Sequence, residues 1–156
     1  MTYFNKPFNT EEQPIEKDRY RLLWAALCPY AHRAVIARKL LGLDNVISLG
    51  TLDYRRGEDG WQFSLDPDGV DPVLKKPTIK SVYNYSEPNY EGPYSVPALV
   101  DLKTEKIVRK ESAEILHEFA TIFKPLHKEG AIDLYPESLA KQIDEWNEKL
   151  AIAVND

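Results

Sequence analysis

The chain holds a single cysteine, Cys28, and its neighbours make it the residue best placed for chemistry. It follows the apolar run Tyr20-Arg21-Leu22-Leu23-Trp24-Ala25 and precedes Pro29, which suits the first turn of a helix because its missing N–H would be unpaired there anyway. At such a junction the unpaired backbone N–H groups and the positive end of the helix stabilise a thiolate. His32 and Arg33, about one turn on, add positive potential. A second reading stays open, since an isolated cysteine also serves as a small buried hydrophobe.

The segment Cys28-Pro29-Tyr30-Ala31 has the form of a redox Cys-Pro-Tyr-Cys turn whose second cysteine is alanine. Dithiol exchange within one chain is then impossible. A lone thiol must complete a cycle with an outside thiol, and glutathione is the obvious supplier. Two further segments bear on such a ligand. Val96-Pro97 stands where a thioredoxin-like fold would use a cis proline, leaving the preceding backbone to pair with a peptide. Glu111-Ser112 opens a helix, where a carboxylate and free N–H groups would take an amino and a carboxylate group; simple helix capping explains the same pair.

The elements that position these residues are legible in outline. Tyr20 to Ala25 reads as a strand, Ala31 to Leu41 as a helix closed by Gly42, and Asn45 to Thr51 as a second, parallel strand. On that helix Val35, Ile36, Leu40 and Leu41 form the expected apolar face, with Arg33, Arg38 and Lys39 toward water. Residues 53–94 form an irregular, glycine- and proline-bearing insertion with a short helix within 72–85. Ser95 to Leu102 and Lys106 to Arg109 read as a hairpin, and Glu111 opens an amphipathic helix through Ile115, Leu116, Phe119 and Ile122. The expected fold is α/β and thioredoxin-like, with a mixed four-stranded sheet flanked by helices. Residues 1–19 read as an arm without apolar period, 20–124 as the ligand-binding domain, and 125–156 as a linker and helix that lacks a partner.

Composition narrows the function. With 156 residues, a formal charge of −5 and a pI near 5.3, the chain has no basic field for nucleic acid. No apolar run is long enough to span a membrane and residues 1–20 lack a signal core, so a cytoplasmic location is expected. His32, His117 and His127 match no compact ligand spacing, and the acidic residues Asp133, Glu137, Asp144 and Glu145 read as a solvated face, so no metal site is assigned.

Taken in order, Cys28-Pro29-Tyr30-Ala31-His32-Arg33, Glu58-Asp59-Gly60-Trp61-Gln62-Phe63, Tyr90-Glu91-Gly92, Val96-Pro97 and Glu111-Ser112-Ala113 resemble the Xi-class glutathione transferases, the glutathionyl-hydroquinone reductases. The similarity runs from about Tyr20 to Ile143. It implies that Cys28 is the nucleophile that takes glutathione from a glutathionyl-hydroquinone, and that Trp61, Val96, Pro97, Glu111 and Ser112 form the glutathione site. Glutathione is then a co-substrate. Without the resemblance, Trp61 and Phe63 read equally as packing aromatics of a long loop. Tyr30 and Pro93 depart from the tryptophan and arginine usual in that family, the latter removing one anionic contact. The family also continues into an all-helical C-terminal domain of which 125–156 would be only the start. This implies exposed apolar surface and hence self-association or a separate helical partner. Two alternatives to a reductase remain: a non-catalytic glutathione-binding or assembly module, and a fragment of a longer transferase.

Overall fold

Tyr20–Ala25 forms β1, and all its residues except Trp24 are buried, as befits the middle of a sheet. On one side it pairs in parallel with β2 (Ile47–Tyr54), and on the other antiparallel with β4 (Ala98–Asp101). Two flanking strands complete the order β3-β2-β1-β4-β5, where β3 is Trp61–Gln62 and β5 is Lys106–Arg109. The sheet is mixed as expected, but it has five strands rather than four. The addition is β3, whose two residues pair with Asp53 and Tyr54; so short a strand has no period for a sequence pattern to reveal. The computed structural model describes residues 3–54 and 59–155.

Side-chain alternation along the strands divides the core in two. Tyr20, Leu22, Leu99 and Val108 face α1 (Pro29–Leu40) and α3 (Ser112–Ala120), whereas Leu23, Ala25, Val100 and Ile107 face α2 (Ile79–Ser86). Thr78 and Ser81 start α2 with reciprocal side-chain to backbone bonds, a capping box that fixes where the helix leaves the insertion.

The face that α1 buries differs from the expected one. Of the four residues expected inside, Leu41 is buried and Val35 packs against the core, but Ile36 and Leu40 are exposed, and Ala31, Ala34, Ala37 and Arg38 are buried instead. Alanines let the helix axis approach the sheet closely, a role that a search for large apolar residues overlooks. Arg38 tolerates burial because its Nε donates to the Ile47 carbonyl at 2.7 Å, satisfying a strand group as well as the guanidinium. Gly42 follows with φ of +73°, and a Cβ there would lie 2.5 Å from the Lys128 Cβ. Only glycine lets the 125–134 segment dock on the end of α1, where the Lys128 N–H donates to the Leu41 carbonyl at 3.0 Å.

The residues before β1 are part of this core. Phe8 is 6% exposed and meets Tyr20 and Phe123 edge-on, with ring centroids 5.4 and 5.2 Å away. Arg109 on β5 donates to the carbonyls of Phe4 and Lys6 at 3.3 and 2.8 Å, and Arg19 forms a two-pronged pair with Asp101 at 2.9 Å. At the other end, α4 (Ala140–Leu150) buries no residue, and residues 151–154 of the π-helical turn Ala151–Asn155 are exposed.

Candidate active site

Cys28 is the N-cap of α1, with extended backbone angles, φ −97° and ψ 109°. Its N–H donates to the Ala25 carbonyl at 3.0 Å, and its own carbonyl accepts the first helical bond from His32 at 3.1 Å. These bonds turn the chain sharply from β1 into the helix and hold the half-buried thiol at the helix head. The Sγ donates to the Val96 carbonyl at 3.4 Å, across 68 residues of sequence. Val96–Pro97 is a cis peptide, and both residues are buried immediately before β4.

The second pairing joins Arg33 on α1 to Ser112, the first residue of α3. The guanidinium donates twice to the Ser112 Oγ, from Nε at 3.0 Å and from Nη2 at 2.6 Å. An oxygen that accepts two such bonds has its O–H left as a donor. Ser112 is buried, whereas Glu111, the N-cap, is exposed and paired with the Lys110 ammonium. Arg33 lies just over one turn from Cys28, so α1 presents the thiol at its head and a cation against the neighbouring helix start.

Trp61 lies on β3, half-buried and edge-on to Tyr54 at 5.1 Å, and packs against the core cluster that also carries Cys28 and Val96. Phe63 is fully buried there. Glu58, quoted with them in the sequence, lies outside the described residues. The structure thus brings Cys28 to Val96 and Arg33 to Ser112, and puts Trp61 on the same side of the sheet as the thiol cluster.

The insertion is anchored by a pair that the sequence did not advertise. Arg21, pointing from β1, bonds the fully buried Asp71 Oδ2 at 2.7 Å, while Asp71 Oδ1 accepts the N–H groups of Val73 and Leu74. A Cβ on Gly50 would lie 2.6 Å from Leu23 Cδ2 and 2.9 Å from Asp71 Oδ2, so the gap at β2 admits the pair. An arginine inside an apolar strand run and a glycine inside the next strand were its only traces.

The histidines have structural partners. His32 lies tilted against Trp24 with ring centroids 5.2 Å apart, His127 Nε2 lies 2.7 Å from the Phe119 carbonyl, and His117 meets Tyr135 edge-on at 4.6 Å. Among the described residues, no three His, Cys, Asp or Glu side chains come together as a metal site, and no helix is long and apolar enough to cross a membrane. A cavity of about 330 Å³ lies between α3 and α4, bordered by Arg33, Leu116, Leu134, Ile143 and Leu150.

A profile described as glutathione S-transferase, N-terminal domain matches residues 27–122, from the thiol to the end of α3. The chain belongs to that family. A relative named glutathione S-transferase omega-like 2, from Schizosaccharomyces pombe, is 40% identical over 145 residues, covering 90% of this chain and 46% of that protein. The glutathionyl-hydroquinone reductase YqjG of Escherichia coli is 38% identical over 143 residues, covering 90% and 43%. Its glutathione-bound structure superposes with a TM-score of 0.80 and 40% identity over 90% of this chain and 46% of that one. The Xi transferase of Phanerochaete chrysosporium superposes at 0.89 with 38% identity, covering 99% of this chain and 54% of that one. These relatives bear out the Xi-class resemblance and the thioredoxin-like transferase fold. The chain spans about half the length of the relatives it matches.

Proposed function

We propose that this transferase domain binds glutathione and acts as a cysteine-dependent reductase of glutathionyl-hydroquinones or related conjugates. The observation that carries the reading is the Cys28 thiol at the head of α1, 3.4 Å from the Val96 carbonyl. The thiol thus sits directly beside the backbone segment that would align a peptide. In the first step the Cys28 thiolate attacks the thioether sulfur of the conjugate. A sulfur–sulfur bond forms, the sulfur–carbon bond breaks, and the departing ring carbon takes a proton. In the second step a glutathione thiolate attacks the mixed disulfide, releasing glutathione disulfide and restoring Cys28. The conjugate is reduced and two glutathione sulfurs are oxidised, so no other oxidant or reductant enters.

Val96, ahead of Pro97, would pair with the cysteinyl backbone of glutathione, and Trp61 would wall the site. Glu111 would take the α-amino group. The Ser112 hydroxyl and the first N–H groups of α3 would take the α-carboxylate. The name and bound ligand of the E. coli relative support this assignment. A cytoplasmic setting suits it, because a lone catalytic thiol needs a reducing compartment.

We also propose the division into an arm at 1–19, a glutathione-binding domain at 20–124 with its insertion at 53–94, and the start of a helical domain at 125–156. With Trp146, Leu150, Ile152 and Val154 exposed, the chain self-associates or takes a separate helical partner; a monomeric mass by light scattering at high concentration, with no partner, would refute this.

The deciding experiment measures hydroquinone released from a glutathionyl-hydroquinone in excess glutathione, for the wild type and Cys28→Ser. Turnover that depends on Cys28 establishes the reductase. Binding of glutathione without turnover favours the module reading.

A further inference from the structure

We propose that Tyr83 is a positioning residue for the Val96 segment, and that through it the N-terminal arm helps to hold the glutathione site in shape. The inference rests on the reading of Val96 as a residue that pairs with ligand. Tyr83 is fully buried on α2, and its O–H donates to the Ser95 carbonyl at 3.1 Å. That carbonyl belongs to the peptide group whose nitrogen is Val96's own. Fixing it fixes the plane in which the Val96 N–H points. On its other side, Val96 is held by the Cys28 Sγ at its carbonyl.

The ring of Tyr83 is held in turn. It stacks on Tyr90 at 4.9 Å, with only 22° between the planes, and Phe4 of the arm meets it edge-on at 5.7 Å. Tyr90 is also touched by Phe4 and Tyr3, and its own O–H donates to the Pro93 carbonyl at 3.1 Å. Two phenols therefore hold two carbonyls, at Pro93 and Ser95, of the loop that leads into Val96. Arm aromatics back both phenols. At Gly92 a Cβ would strike the Tyr90 Oη at 2.4 Å, so the loop is shaped around this ring. Burial pushes the Tyr83 phenol well above its ordinary value, which keeps it a donor across the physiological range.

Nothing in this arrangement touches the reacting atoms. Tyr83 acts by keeping a backbone group ready for a ligand, which lowers the ordering cost of binding. Removal of one neutral hydrogen bond should loosen the segment and weaken glutathione by about threefold to tenfold, the range that such a bond supports.

The test compares the wild type with Tyr83→Phe, which keeps the ring and deletes only the hydroxyl. Ser86→Ala serves as a control on the same helix; it removes the bond from the Ile107 N–H, far from Val96 in the hydrogen-bond network. Amide hydrogen exchange of residues 94–96 and glutathione affinity by calorimetry are read for each. The expected result is faster exchange at 94–96 and weaker glutathione in Tyr83→Phe, with β4 exchange unchanged and Ser86→Ala like the wild type in both readouts. Unchanged exchange at 94–96, or equal effects in both variants, overturns the proposal. A wild type that binds no glutathione overturns the reading of the site, and the exchange comparison still decides Tyr83. Should Tyr83→Phe fail to fold, Phe4→Ala carries the same expectation from the arm side.

Discussion

The two ends of the chain show that apolar patterning and burial are separate properties. Residues 3–19 have no apolar period, yet Phe8 is 6% exposed and sits between Tyr20 and Phe123 in the core. Residues 140–150 form an amphipathic helix, yet Trp146 is 61% exposed and the helix buries nothing. Periodicity reports a face that wants a partner; it does not report that the partner is there. An isolated aromatic in a polar stretch gives no pattern, yet it can fill a gap that strands and helices from elsewhere have left. The arm is also held by polar groups, since Arg109 reaches two of its carbonyls and lies 4.6 Å from the Phe8 ring.

The sharpest way to break this contrast is Phe8→Ala. A buried phenylalanine lost from a packed aromatic cluster should cost about 3 to 5 kcal/mol, read as a lower urea midpoint at unchanged slope. A cost below about 1 kcal/mol would mean that the arm is not held in the core in solution, and the contrast between the two ends would collapse.

That effect also marks the boundary of what the sequence made legible. The β-α-β unit, the hairpin and α3 could be read because their apolar residues repeat at strand or helix spacing. Cys28, Val96 and Ser112 could be singled out as candidate site residues because residue type and local context coincide: a thiol before Pro29, a proline opening a strand, a hydroxyl at a helix start. Their partners could not. Arg33 bonding Ser112, Tyr83 bonding Ser95 and Arg21 bonding Asp71 are each contacts across many residues, and one sequence carries no record of distance. The α1 face was misread for a different reason. Three of its four buried residues are alanines, which weigh little on any hydrophobic scale but allow the closest approach to the sheet.

A smaller effect concerns the latch between the arm and α3. Arg109 Nε donates to Glu118 Oε1 at 2.8 Å, while Glu118 Oε2 is buried without a hydrogen-bond partner. Burial, only partly opposed by Arg109, holds the Glu118 carboxyl above its ordinary value. The folded chain therefore keeps this proton over a range where the unfolded chain has lost it. The resulting stability is fully present below the ordinary glutamate value and is lost as pH rises through the raised one. Stepping the pH across that window, the wild type should lose stability relative to Glu118→Gln, by no more than about 1.4 kcal/mol per pH unit, the slope of one proton. A parallel pair of curves would show that the latch does not titrate there.

The smallest effect is expected at the opposite end. The Lys149 ammonium lies 5.3 Å from the Trp146 ring centroid, and that pair is exposed. Exposed substitutions of this kind stay within about 0.5 kcal/mol, so Trp146→Ala should leave the urea midpoint nearly unchanged at low protein concentration. The same measurement at high concentration sharpens the contrast. If the exposed face of α4 meets a second copy, the wild type gains stability with concentration by mass action while Trp146→Ala does not. The two ends would then differ in where their aromatic residues are buried, within one chain for the arm and between chains for α4. A loss above about 1 kcal/mol at low concentration would instead mean that Trp146 is packed within the monomer.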